Sequence, residues 1–210
     1  MNPYTFVRDN TQLLTPPLVP EIKLHLASEV VPLWRATEDE LQQMGVPPPY
    51  WAFAWAGGQA LARYVLDQPD LVRGKTVLDF GAGSGLVALA AARAGAAQIF
   101  AADIDPFAAA AIAANAEANG LAVSVLCHDV IGDDAAYDVI LVGDMCYERP
   151  LAERLMAWLS GCRAQVLLGD PGRSYFPKQG LEKLAAYSVP VTRDLEDREI
   201  RDTGVWKLVR

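Results

Sequence analysis

The residues with the most chemical content here are acids that close apolar runs. Asp79 nearly ends KTVLDF (75–80) and is followed by Gly81-Ala82-Gly83-Ser84-Gly85. Alternate glycines after a strand let the backbone turn sharply and approach a ligand closely. A dinucleotide loop needs G-x-G-x-x-G, but Leu86 leaves G-x-G-x-G preceded by an acid. An acid at that entrance suits an amino group rather than a pyrophosphate. Asp103 follows the next run, 18 residues after Gly85, where a carboxylate can accept both hydroxyls of a ribose. Asp129 closes a third run, placed to meet an adenine edge, although Asp133 and Asp134 share that claim. Asp105 directly precedes Pro106 and reads as a helix N-cap. Ribose, adenine, an α-amino group and a positive sulfur together describe S-adenosylmethionine. That molecule is the expected cofactor, with Asp79, Gly81, Gly83, Gly85, Asp103 and Asp129 as its contacts.

These acids need elements to hold them. The runs 75–80, 98–104, 122–129, 137–144 and 164–170 are continuous and apolar, as buried parallel strands are. Between them lie Ala- and Leu-rich stretches at 86–95, 106–120 and 151–161. Pro106 at the start of one and Gly120 just past its end mark a helix. Strand–helix alternation of this kind predicts an α/β fold with a doubly wound, mostly parallel sheet. LEKLAAY (181–187) reads as helical and GVWKLVR (204–210) as a strand. Residues 1–74 break the alternation, and of these 1–45 form an N-terminal extension to a domain spanning 46–210. Within it IKLHL (22–26) suggests a strand that extends the sheet. Thr37 and Glu40 suggest a capping box on a short helix at 37–45. PPPYWAFAWAGG (47–58) reads as a rigid aromatic loop leading into a helix at 59–68.

The 210 residues carry 18 Lys+Arg against 26 Asp+Glu, a net charge of −8. Almost all of the excess lies in residues 76–150, which hold ten acids and only Arg93 and Arg149 as bases. Such a region suits a cationic ligand and disfavours nucleic acid, whose phosphates call for a basic face. Two histidines and three cysteines, with no CxxC, point to neither a metal site nor a disulfide framework. No apolar run reaches the ~18 residues of a membrane span, and the opening residues resemble neither a signal nor a transit peptide. A cytoplasmic, monomeric protein is the expectation.

The glycine loop and its acids resemble those of class I, seven-strand S-adenosylmethionine-dependent methyltransferases. Asp144-Met145-Cys146-Tyr147 further resembles the Asp-x-x-Tyr motif of a branch that mostly methylates protein lysines. Within that branch PPPYWAFAWAGGQALARYVLDQP (47–69), ADIDPFAAAAI (102–112), GDMCYERPLAERLMAWL (143–159) and GDPGR (169–173) look like the electron-transfer flavoprotein β-subunit lysine methyltransferase family. The resemblance spans residues 45–210 and implies a seven-stranded sheet and lysine methylation of a protein, with that β subunit as the suspected partner. Ribosomal-protein or small-amine methylation, and a non-catalytic cofactor-binding module, are the alternatives.

On that resemblance Asp144 and Tyr147 are the catalytic candidates, with Asp144 orienting the amine rather than acting as general base. Tyr147 either bonds the substrate and walls the channel or packs under the next helix. Trp55 and Gly58 are expected at the cofactor. Trp51 and Arg173 are candidates for the substrate, with Arg173 either meeting a substrate acid or pairing with Asp170. Cys127 and Cys146 adjoin His128 and Tyr147, but neighbours on a strand point apart, so a thiol nucleophile is not expected.

Overall fold

The computed structural model describes residues 1–28, 45–133, 135–191 and 200–209. Nine strands occur among them: β1 (Gln12–Leu14), β2 (Leu24–Leu26), β3 (Thr76–Phe80), β4 (Gln98–Ala102), β5 (Ser124–Leu126), β6 (Val139–Gly143), β7 (Gln165–Asp170), β8 (Leu181–Pro190) and β9 (Ile200–Leu208). The helices are α1 (Pro3–Asp9), α2 (Ala56–Asp67), α3 (Leu86–Arg93), α4 (Pro106–Asn119) and α5 (Arg149–Gly161). Seven strands form one sheet in the order β5-β4-β3-β6-β7-β9-β8. The first five are parallel, and β9 pairs antiparallel with both β7 and β8. The expected doubly wound, mostly parallel seven-stranded α/β fold is therefore present. The chain leaves β3 to one side through β4 and returns to its other side as β6. A crevice opens at the carboxyl ends of the strands at this reversal.

Side chains alternate along each strand, so each strand serves two cores. Val77, Val139, Leu141 and Leu167 pack with α2 and α3 on one face. Leu78, Phe80, Ile140 and Val142 pack with Leu155 and Leu159 of α5 on the other. Asp79 shares its phase with Val77, so its side chain goes under α3.

Three expectations change. LEKLAAY is strand, not helix: β8 pairs with β9 from Leu181↔Leu208 to Pro190↔Ile200. Leu181 and Leu184 lie three apart, which mimics a helical repeat. A register shift between Lys183 and Ala185 places Leu184 in a bulge and restores alternation beyond it. IKLHL contributes only Leu24–Leu26, and that strand joins β1 in a separate two-stranded sheet rather than extending the main one. The third expected strand, β5 at the edge of the sheet, stops at Leu126, leaving His128 and Asp129 in the following loop. The capping box at Thr37 and Glu40 falls outside the described residues.

The described part of the N-terminal segment is tied to α4. Phe6 meets Phe107 edge-on at 5.1 Å, and Val7 and Ala27 share a core with Ala108 and Ala111. Asn115, fully buried, accepts from the His25 N–H (2.6 Å) and donates to the Ser84 carbonyl (2.8 Å).

Candidate active site

A cavity of about 470 Å3 occupies the crevice, within the range of small-molecule sites. Its floor is the glycine loop. Gly81, Gly83 and Gly85 all take left-handed backbone angles, and a side chain at Gly81 would overlap Met145. Gly81 and Gly83 line the cavity, whereas Gly85 caps α3 behind the loop.

Asp103 stands just past β4 and also lines the cavity. Its Oδ2 accepts from the Gly83 N–H (2.9 Å) and its Oδ1 from the Asp105 N–H (3.0 Å), which fixes the carboxylate against the loop. Asp105 caps α4 as expected, accepting from the Phe107 N–H (2.8 Å). Burial pushes the Asp105 carboxyl up, with Asp103 adding to the effect. Asp129 lines the far wall, held by Arg154 of α5 (2.6 Å) and by the Ile131 N–H. Asp133 pairs instead with His128 at 3.0 Å. Asp134 lies outside the described residues.

Asp79 is not at the cavity wall. It is 2% exposed, and its Oδ2 accepts from the Ala88 N–H (2.8 Å) at the first turn of α3. Desolvation pushes its carboxyl up to about 7, against that hydrogen bond and with the Asp103 charge adding to the rise.

Asp144 follows β6 with φ 58°, the one non-glycine left-handed residue among the described residues. Its N–H donates to the Gly169 carbonyl (3.0 Å), which anchors the turn to β7. The carboxylate is almost wholly buried yet borders the cavity. Oδ2 accepts from the Gly58 N–H (2.9 Å) in the first turn of α2, and Oδ1 from Arg173 Nε (3.1 Å) and Nη2 (2.8 Å). Close approach of α2 makes this possible: a side chain at Gly57 would overlap both the Gly169 carbonyl and the Asp144 carboxylate. Gly58 thus serves Asp144 rather than the cavity wall. Arg173 pairs with Asp144 and not with Asp170; only its backbone N–H reaches Asp170 Oδ1 (2.7 Å). Asp170 is buried, and desolvation pushes its carboxyl up to about 6.

The mouth is aromatic. The Trp55 ring lies beneath the Arg173 guanidinium at 5.5 Å, and its Nε1 donates to the Tyr50 carbonyl (2.8 Å). Tyr147, 41% exposed, faces Tyr50 with ring centroids 6.0 Å apart. Trp51 borders the cavity but is 1% exposed and shares the α4 core with Phe107. Cys146 is buried, and desolvation together with the charges of Asp170 and Asp144 pushes its thiol up to about 12. Such a thiol stays protonated at neutral pH and is a poor nucleophile.

Among the described residues, four carboxylates (Asp103, Asp105, Asp129, Asp144) and two guanidiniums (Arg154, Arg173) border the cavity, a balance that favours a cationic guest. Arg154, Gly57, Gly169 and Tyr50 were not among the expected site residues, although all four lie in stretches that carry the family resemblance. Arg154 follows Leu151 by three residues on α5, and both line the cavity, so helical spacing was the available signal.

Comparison with known proteins identifies the family. The electron transfer flavoprotein beta subunit lysine methyltransferase of Rattus norvegicus is 38% identical over 212 residues, covering 96% of this chain and 82% of its own length. The chain belongs to the electron transfer flavoprotein β-subunit lysine methyltransferase family. The corresponding Danio rerio protein is 40% identical over 213 residues, covering 96% of this chain and 81% of its own. Residues 59–143 also match the family model for ribosomal protein L11 methyltransferase (PrmA). Among solved structures, magnesium protoporphyrin IX methyltransferase from Synechocystis with bound SAM superposes with a TM-score of 0.54 at 19% identity. That match covers 73% of this chain and 77% of the other, and shows the shared fold.

Proposed function

We propose that this member of the family transfers a methyl group from S-adenosylmethionine to a lysine of the electron-transfer flavoprotein β subunit. The observation that carries the reading is the placement of Asp144. A buried carboxylate with both oxygens fixed borders a cation-attracting cavity beside the glycine loop, under an aromatic mouth. The Asp-x-x-Tyr residues and the relatives' shared activity support it. The match to the ribosomal protein L11 methyltransferase model ends at Gly143, one residue before Asp144. That likeness therefore covers the cofactor half of the site and leaves out the side that meets the substrate.

The residues present fit the cofactor. The glycine loop offers a close backbone approach, and Asp103 stands where a ribose would be held. Asp129 also lines the cavity and is the candidate for the adenine edge. Asp79, buried beneath α3, acts on the loop's position rather than by direct contact. Bound S-adenosylmethionine supplies a methyl on a positively charged sulfur, open to in-line attack by an amine.

The protein's task is to present that amine without its proton. A lysine pKa near 10.4 makes this cost about 4–5 kcal/mol at pH 7. Asp144 accepts an amine N–H and aims the nitrogen, which is worth several kcal/mol as positioning. Tyr50, Trp55 and Tyr147 wall the approach and strip water from the alkyl chain. The excess proton leaves to solvent through the mouth.

The direct test incubates the purified protein with tritiated S-adenosylmethionine and electron-transfer flavoprotein, and in parallel with bacterial lysate treated with ribonuclease or protease. Label on the β subunit, placed on a lysine by mass spectrometry, is expected. Label removed by ribonuclease would overturn the reading. Asp144→Asn is expected to abolish transfer while cofactor affinity stays within a few-fold; normal turnover by that variant would make Asp144 structural.

A further inference from the structure

A carboxylate beside the substrate amine creates a conflict. It orients the amine, but an anion next to an ammonium stabilises the protonated form that cannot attack. The surroundings of Asp144 resolve this. Arg173 places Nε and Nη2 on one carboxylate oxygen at 3.1 and 2.8 Å, and the N-terminus of α2 presents the Gly58 N–H to the other at 2.9 Å. A guanidinium keeps its charge at every pH the enzyme meets, and a helix N-terminus adds a partial positive charge. Stacking over Trp55 at 5.5 Å and the bond from its own N–H to Asp170 hold Arg173 in place from two further sides.

We propose that Arg173 is a positioning residue for methyl transfer, one that locks the Asp144 carboxylate and offsets its charge so that the bound lysine amine can be oriented and still lose its proton. This rests on the lysine-methyltransferase reading and extends it, giving the GDPGR segment (169–173) a task at the reacting nitrogen rather than at an acidic patch of the substrate.

The effect is readable in a pH profile because, among the described residues, the other titratable groups around Asp144 are quiet between pH 7 and 10. From β7, Asp170 is pushed up to about 6 by burial and is already ionised there. Cys146, next but one along the chain, is pushed up to about 12 and stays neutral. Tyr147 is raised above its ordinary value by burial, then by Glu148, Tyr50 and Asp103. From α2 only the backbone N–H of Gly58 faces the carboxylate. An uncompensated charge within 4–6 Å moves a titration by about 1–3 units. Removing the Arg173 charge is therefore expected to raise the titration of the bound amine by at least about one unit. That lowers kcat at pH 7 about 10–100-fold.

The experiment measures kcat at saturating cofactor and β subunit from pH 7 to 10, because kcat reports groups in the bound complex. Arg173→Met removes charge and donors, Arg173→Gln keeps a donor without charge, and Arg173→Lys keeps the charge. Calorimetric titration with S-adenosylhomocysteine follows the integrity of the cofactor site in each. The Met and Gln variants are expected to show the full loss at pH 7, shrinking to a few-fold by pH 10. The Lys variant should stay within a few-fold throughout, and cofactor affinity should hold in all three. A pH-independent loss, a change confined to KM, or a Gln variant that behaves as wild type would overturn the proposal. If Arg173→Met no longer binds cofactor, the contrast between Gln and Lys decides. Wild-type protein that methylates no lysine at any pH refutes the reading beneath it and this proposal together. A normal wild type with unshifted variants refutes this proposal alone.

Discussion

Asp79→Asn separates the interior of the glycine loop from its surface. Asp79 is 2% exposed, with a folded-state pKa pushed up to about 7 from an ordinary 3.8. A raised folded-state value means the native protein holds this proton more tightly than the unfolded chain. The resulting stability is full below about pH 4 and is lost as pH rises toward 7. The gap of roughly three units corresponds to about 4 kcal/mol at 1.36 kcal/mol per unit. Asparagine has the same shape, keeps an oxygen for the Ala88 N–H and does not titrate. The difference in unfolding free energy between the variant and the wild type cancels the other carboxylates. It should move in favour of asparagine by about 4 kcal/mol between pH 4 and 8. Urea unfolding followed by circular dichroism at half-unit pH steps measures it. A difference that stays flat across that range would mean that Asp79 is ionised throughout, and the dry interior inferred under α3 would be wrong.

Gly57→Ala should cost about 1–3 kcal/mol by overpacking and lower kcat further by displacing Asp144. Gly58→Ala, whose added carbon meets only Val87 at 4.0 Å, should melt no earlier than wild type in a thermal scan. Asn115→Ala strands the Ser84 carbonyl and the His25 N–H. At about 1–3 kcal/mol for each buried group left unpaired, it should lower the urea midpoint. Calorimetry with S-adenosylhomocysteine should show cofactor binding several-fold weaker, because the glycine loop loses its tie to α4.

The parallel half of the sheet was legible because buried strands read as unbroken apolar runs, and because Pro106, Gly120 and the glycine loop punctuate them. The antiparallel end was not. β8 carries a bulge that disguises its period, and its partner β9 supplies the pairing that a local reading cannot see. At the site, residue type identified the acids but not their direction. Asp79 and Asp103 share a phase in the register, but Asp79 lies inside its strand, under a helix, whereas Asp103 stands one residue past the end of its own and reaches the cavity. Arg173 was visible as a cation in GDPGR, whereas its partner is set by a contact spanning 29 residues between the ends of β6 and β7. Gly57 and Gly169 looked like ordinary small residues. Their role is the closeness of two backbones, which a sequence does not display.

The segment carrying α1, β1 and β2 must wait for α4 before it finds its place. His25 bonds to Asn115 across 90 residues, and Lys23 to Asn119 across 96. At about 5–20 residues per second, a ribosome needs on the order of ten seconds to deliver α4 after β2 has emerged. Through that interval Phe6 and Val7 lack Phe107, Ala108 and Ala111 of α4, with which they share a core. Nascent protein halted before Asn115 should therefore be bound by holding chaperones and cut readily by proteases, and release should come only once α4 has cleared the exit tunnel.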